Sequence, residues 1–261
     1  MVPSRQGRYI KVKYYKKHKK LNIILWLLTV VVFSMLLFNI SDIASSIITR
    51  KGSLFYRDRI KISSYCVYGV SAGDYNSEGE ANAYSTEVKA AGGMGQVCKD
   101  GEYYVLAQIY PTLLEATEVQ ENLLSKGNNA KVVTICVPQI DMTYSGQNKE
   151  QAQNAFGEFR RAYTRCYELG IKLDKNEISR LVLQSSVASL LAENENIKNG
   201  LSSLGLPQKK EQILSAHLNN LSSILRSIVY FEQTGNNFSS FFKTQMFLIV
   251  QENITLSQDL A

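Results

Sequence analysis

Histidine is almost absent from this chain, which has two in 261 residues, His18 and His217. His18 sits in a basic N-terminal run, so a nucleophilic triad with a His base would have to use His217. No Gly-flanked Ser marks a nucleophile elbow. The four cysteines, Cys66, Cys98, Cys136 and Cys166, contain no C-x-x-C pair, which argues against a zinc site. No phosphate loop or dinucleotide fingerprint is present. Paired acids such as Glu193 and Glu195 fall on an expected exposed helix, a poor setting for a two-carboxylate wall hydrolase. The reading is a non-enzyme with no catalytic residues, no cofactor and no metal.

Acidic residues are missing from residues 1–20, which hold eight of the 29 Lys and Arg; the remainder carries 21 basic and 23 acidic groups. A basic tail on an acidic body argues against nucleic-acid binding. Charge of either sign is missing from residues 21–40, LNIILWLLTVVVFSMLLFNI, a run long enough to cross a bilayer as a helix. Positive charge ahead of it sets residues 1–20 in the cytoplasm. The run is too long for a typical signal-peptide core and no clean A-x-A site follows. The expectation is a single-pass protein of the cell membrane with residues 41–261 extracytoplasmic. Residues 41–61 then form a linker whose Arg50, Lys51, Arg57, Arg59 and Lys61 suit a solvated spacer, or contact with anionic headgroups or wall polymers.

What is present is a repeat. VSAGDYNSEGEA (residues 70–81) recurs 35 residues on as VLAQIYPTLLEA (residues 105–116), and Gly92 and Val97 fall on Gly127 and Val132. Each copy has alternating apolar residues that suit a half-buried strand, a closing aromatic, and a helix opened by Ser77 or Thr112 and closed by Gly92 or Gly127. Lys99-Asp100-Gly101 reads as a hairpin turn. The predicted order is β-α-β-β-α-β, an antiparallel sheet with two helices on one face.

Val70-Ser71-Ala72-Gly73-Asp74-Tyr75 and Tyr103-Tyr104-Val105-Leu106-Ala107-Gln108-Ile109-Tyr110 resemble the two halves of a SPOR domain, the sporulation-related repeat. The likeness covers residues 62–141. It implies binding of peptidoglycan glycan strands poor in stem peptides, at the division septum or the forespore. It also implies that the sheet face away from the helices is the platform. By alternation that face carries Ser71, Tyr104, Leu106 and Gln108, with Tyr75 and Tyr110 at the strand ends. Ser71 stands where the family commonly has Gln, and Gln108 where it has Gly. These departures favour a second reading, a SPOR-like scaffold or regulatory subunit of a cell-envelope or division complex. An RNA-binding module shares the element order, but the acidic body argues against it.

Residues 142–261 change texture to helical spacing: Glu150–Leu169, a helix from about Asp174, a third through Ile213–Val229, and a last from Phe238 to about Gln251. They read as a helical bundle whose Leu and Phe stripes form a core; the alternative is a groove for a protein partner, with Met246–Val250 of the last helix as its best candidate. The predicted fold class is α+β: a single transmembrane helix, a SPOR/RNP-like domain and an α-helical bundle. An exported location permits disulfides. Buried free thiols are the alternative, and Cys66–Cys136 is the least strained pairing because the outer segments of the repeat unit meet in the sheet.

Overall fold

The computed structural model describes residues 58–233 and 235–261. In order they form β1 (Asp58–Ile62), β2 (Tyr65–Tyr75), α1 (Glu78–Ala90), β3 (Gln96–Asp100), β4 (Glu102–Tyr110), α2 (Leu113–Ser125), β5 (Ala130–Val137) and β6 (Ile140–Tyr144). There follow α3 (Lys149–Phe156), α4 (Glu158–Asp174), α5 (Arg180–Asn199), a 3-10 turn (Leu201–Leu204), α6 (Gln208–Val229) and α7 (Asn236–Leu260). The basic tail, the apolar run at residues 21–40 and residues 41–57 of the expected linker lie outside the described residues.

The fold class needs a correction. Among the described residues no helix is long and apolar enough to cross a membrane, and the fold is α+β with seven α-helices and two sheets. The 25-residue α7 shows why. It carries Lys243, Glu252 and Asp259, and it buries Gln245, Asn253 and Ser257. Such polar groups are satisfied within a protein, not in hydrocarbon.

The repeat is visible in three dimensions. Both α1 and α2 have 13 residues. Ser77 Oγ accepts from the Glu80 N–H and Thr112 Oγ1 from the Glu115 N–H, each at 3.3 Å. Each contact satisfies one of the free amides of a helix start. Gly92 and Gly127 end the two units with φ of 84° and 78°, a region that side chains disfavour. The four strands of the unit make an antiparallel sheet of order β3-β4-β2-β5, with the first strands of both copies at its centre. Cys66 and Cys136 pair directly across β2 and β5 and form a disulfide; Cys98 and Cys166 are free.

A second, two-stranded sheet joins β1 to β6 in antiparallel register, Ile60 opposite Met142. Residues at the end of the expected linker and at the start of the expected helical region are therefore paired strands. In β6, Ile140, Met142 and Tyr144 are buried and alternate with exposed Asp141 and Thr143, the signature of a half-buried strand. Buried Tyr144 donates its hydroxyl to Leu204 O at 2.5 Å and accepts from the Asn148 N–H at 3.0 Å, tying this sheet to the helices.

One hydrophobic core runs through sheet and helices. Val67, Leu106 and Ile109 share it with Phe159 and Tyr163 of α4 and with Met246, Phe247 and Val250 of α7. Along α7, Thr244 Oγ1 donates to Met94 O at 3.4 Å and Asn253 Nδ2 donates to the Tyr65 hydroxyl at 3.1 Å. Full burial of a Leu or Ile side chain stabilises by about 1.5–3 kcal/mol, so this contact is a permanent part of the fold.

Candidate functional site

The expected platform is not an open surface. Ser71 is 1% exposed and Leu106 0%, and Tyr104 and Tyr110 are also buried; Tyr75 and Gln108 are half-buried. Ser71 pairs with Leu106, and Gly69 pairs with Ile109, so these four share the face opposite α1 and α2. A Cβ added at Gly69 would stand 2.7 Å from Leu106 Cδ2, which shows how closely Leu106 caps that strand. Tyr104 lies under the Lys131 ammonium, 5.0 Å from ring centre to Nζ, and Lys131 in turn pairs with Asp74 at 2.5 Å. The Tyr104 hydroxyl is held above its ordinary pKa, first by burial and then by Cys98 and Asp100.

Gln108 departs from strict alternation. Val70 pairs with Gln108, yet Ser71 pairs with Leu106, so one extra residue enters β4 at Ala107. A bulge of this kind turns the following side chain to the other face. Gln108 therefore joins Val70 on the α1/α2 side, and the six expected residues do not form one surface.

What that side offers is a groove of about 450 Å³ between α1 and α2. Val70, Ala72 and Ala107 make its floor, Tyr84 and Val88 one wall, Val119 and Leu123 the other. Lys243 stands at the Gly92 end, its ammonium donating to Gly92 O at 3.1 Å and lying 3.4 Å from Asp174 Oδ2. Gln108 lines this groove, half-buried, and its amide makes no hydrogen bond among the described residues. Tyr110 also lines the groove, against Tyr167 at 6.4 Å between ring centres. Its hydroxyl is pushed up to about 12 by burial and by the carboxylates of Asp174 and Glu115. Tyr75, beside Tyr84 at 5.5 Å, is pushed up to about 12 by burial and by Tyr84, Glu87 and Asp74. Both phenols stay neutral at physiological pH; the Tyr75 hydroxyl donates to Ala72 O at 3.3 Å and lies outside the groove lining, so only Tyr110 of the two faces the groove. The groove thus combines an apolar floor with the Gln108 amide, the Tyr84 and Tyr110 phenols and, at its edge, the charged Glu87 and Lys243, a lining that can meet both C–H faces and polar edges of a ligand.

His217 has a structural setting. Its Nδ1 lies 2.6 Å from Glu252 Oε1 and its Nε2 2.9 Å from Asp259 Oδ2, so both ring nitrogens face carboxylates and neither addresses a hydroxyl. The Cys166 thiol is pushed up to about 12 by burial, which makes it a packing residue. Among the described residues no three His, Cys, Asp or Glu side chains come together as a metal site.

Sequence reasoning missed a further surface. Leu181 and Val182 at the start of α5 are 71% and 51% exposed, and Tyr230 just after α6 is 72% exposed. They lie at one end of the α5/α6 pair. Arg180 Nη1 donates to Glu232 O and Gln233 O, each at 2.7 Å, and Gln184 Nε2 donates to Ile228 O at 3.0 Å. The signal was in the sequence: an Arg-Leu-Val start with apolar residues off the buried stripe of Leu183, Val187 and Leu190. No family model, curated protein or solved structure matches the chain.

Proposed function

We propose that this chain is a non-enzymatic, extracytoplasmic cell-envelope protein. Its SPOR-like unit is a scaffold, and its C-terminal helices bind a protein partner. The carrying observation is the burial of Ser71 and Leu106 at 1% and 0% exposure. The face that would receive a glycan strand is instead part of the protein's own core. The exposed Leu181, Val182 and Tyr230 give the helical half a surface for a partner, because clustered large apolar side chains outside a core mark interaction sites. The Cys66–Cys136 disulfide supports an oxidising compartment. The test is co-sedimentation of the full chain with purified sacculi, before and after an amidase strips the stem peptides. The scaffold reading expects the folded chain to stay in solution with both. Retention that rises after amidase overturns it.

The groove favours a second reading, in which the unit takes septal or forespore glycan between α1 and α2. Gln108→Ala and Tyr84→Ala separate the two: under the glycan reading both variants lower sacculus retention while the fold stays intact.

A further inference from the structure

We infer that a recess between α3 and the end of α5 is a binding site for a single uncharged sugar ring. It has a volume of about 300 Å³, at the small end of the range for ligand sites, roughly 300–1,000 Å³. This inference does not rest on the scaffold reading, because the recess lies outside the SPOR-like unit.

Its base is apolar: Ala155 and Leu204 are buried and Ile197 is half-buried. Its rim carries four neutral polar side chains, Gln151, Asn154, Asn196 and Ser203. The turn that brings Ser203 and Leu204 here is fixed from below by the Tyr144 hydroxyl on Leu204 O at 2.5 Å. Asn154 is fixed by Arg161, whose Nη2 donates to its backbone O at 2.7 Å and whose Nη1 donates to its Oδ1 at 3.4 Å, which leaves the Asn154 NH₂ to face a ligand. The Ser203 hydroxyl donates to Gly200 O at 2.7 Å, which leaves its oxygen free to accept. The Gln151 and Asn196 amides make no hydrogen bonds among the described residues, so each presents a donor NH₂ and an acceptor carbonyl.

The lining selects the ligand by exclusion. No Lys, Arg or His lines the recess, so an anion would find neutral amide donors but no opposite charge to offset its lost hydration. No carboxylate or imidazole lines it either, which leaves a metal ion without ligands. A plain hydrocarbon would strip water from four polar groups and return no hydrogen bonds. A pyranose ring meets both halves of the site: its C–H face rests on Ala155, Ile197 and Leu204, and its hydroxyls donate to and accept from the amides.

The experiment is saturation-transfer difference NMR on the full chain with N-acetylglucosamine and, separately, glucose. The expected result is transfer to ring protons from at least one sugar. A Gln151→Ala/Asn196→Ala double variant should weaken the apparent affinity by roughly tenfold or more, since it removes two of the hydrogen-bonding side chains on the rim. Both positions are on the rim, and an unchanged circular dichroism spectrum verifies the fold. Gln108→Ala, in the groove between α1 and α2, should leave transfer unchanged. No transfer from either sugar to the folded wild type overturns the inference. So does transfer that survives the double variant, or transfer that depends on Gln108.

Discussion

The two copies of the repeat are built alike and housed differently. Ala81 and Ala116, at the same place in α1 and α2, are both 0% exposed, and each helix starts on a hydroxyl cap three residues before a Glu amide. Beyond that they diverge. α1 also buries Ser85 and Val88, and the chain at its end is held by α7: Asn236 Nδ2 donates to Ala90 O at 2.9 Å and Ser239 Oγ to Gly92 O at 3.1 Å. α2 buries only Ala116 and leaves Leu113, Leu114 and Leu124 exposed. At Gly127, the counterpart of Gly92, an added Cβ would meet nothing within 4 Å. A repeated sequence sets a repeated local structure. What each copy can offer a ligand depends on which neighbour the rest of the chain lays against it.

The largest effect should come from cutting the link between the copies. Cys66 in the first strand of copy one is bonded to Cys136 in the last strand of copy two, 70 residues away. A loop of that length costs the unfolded chain enough entropy for the bond to stabilise by about 4 kcal/mol. A Cys66→Ala/Cys136→Ala double variant should lower Tm by roughly 10 °C, from about 2–4 °C per kcal/mol at this size. A dithiol reductant should do the same to the wild type. Equal melting of wild type and variant by calorimetry would mean that the copies are held by the sheet alone.

Next is the pair at which the copies differ most sharply. Ser71 and Leu106 are equivalent in the repeat and also face each other across β2 and β4. Leu106→Ala should cost about 3 kcal/mol, within the usual range for a buried Leu. Ser71→Ala should act in the opposite direction. The Ser71 hydroxyl is buried with no hydrogen-bond partner among the described residues, and removing an unsatisfied group should stabilise by about 1–2 kcal/mol. Urea denaturation of both variants checks the sign as well as the size. A destabilising Ser71→Ala would show that this hydroxyl has a partner in solution, which would reopen the glycan reading of that face.

Much of this was legible in the sequence because it is local. The 35-residue offset, the Ser77 and Thr112 starts and the Gly92 and Gly127 ends are set by neighbouring residues, and the helices fall where those residues put them. The face of Gln108 was not legible, because strict alternation has no means of showing the extra residue at Ala107. Nor was the pairing of β1 with β6, two five-residue strands about 80 residues apart. The apolar stripe Phe241, Phe242, Met246, Phe247 and Val250 predicts a last helix that ends near Gln251, but α7 runs on to Leu260 through polar residues. Those residues find partners instead: Asn253 meets the Tyr65 hydroxyl, and Glu252 and Asp259 meet His217. Those added turns carry α7 on to Tyr65, whereas the platform is covered by residues the stripe did show, Met246, Phe247 and Val250, whose partner could not be read from spacing alone.

The finest comparison is between the caps. Ser77→Ala and Thr112→Ala each remove a hydrogen bond of 3.3 Å to a first-turn amide, and each should cost about 1 kcal/mol. They should not be equal. The Thr112 hydroxyl also donates to Glu115 Oε2 at 2.5 Å, and Glu115 Oε1 accepts from the Tyr167 hydroxyl at 3.0 Å. Thr112 therefore holds the carboxylate that ties α2 to α4. Ser77 has no such second partner among the described residues, and Glu80 is exposed. The expected order is a larger loss for Thr112→Ala, read as a shift in urea midpoint at constant slope. Adding Tyr167→Phe should abolish most of the difference, because the extra loss passes through Glu115. A difference that persists with Tyr167→Phe would place it in the caps themselves, and the two copies would then differ in local construction as well as in surroundings.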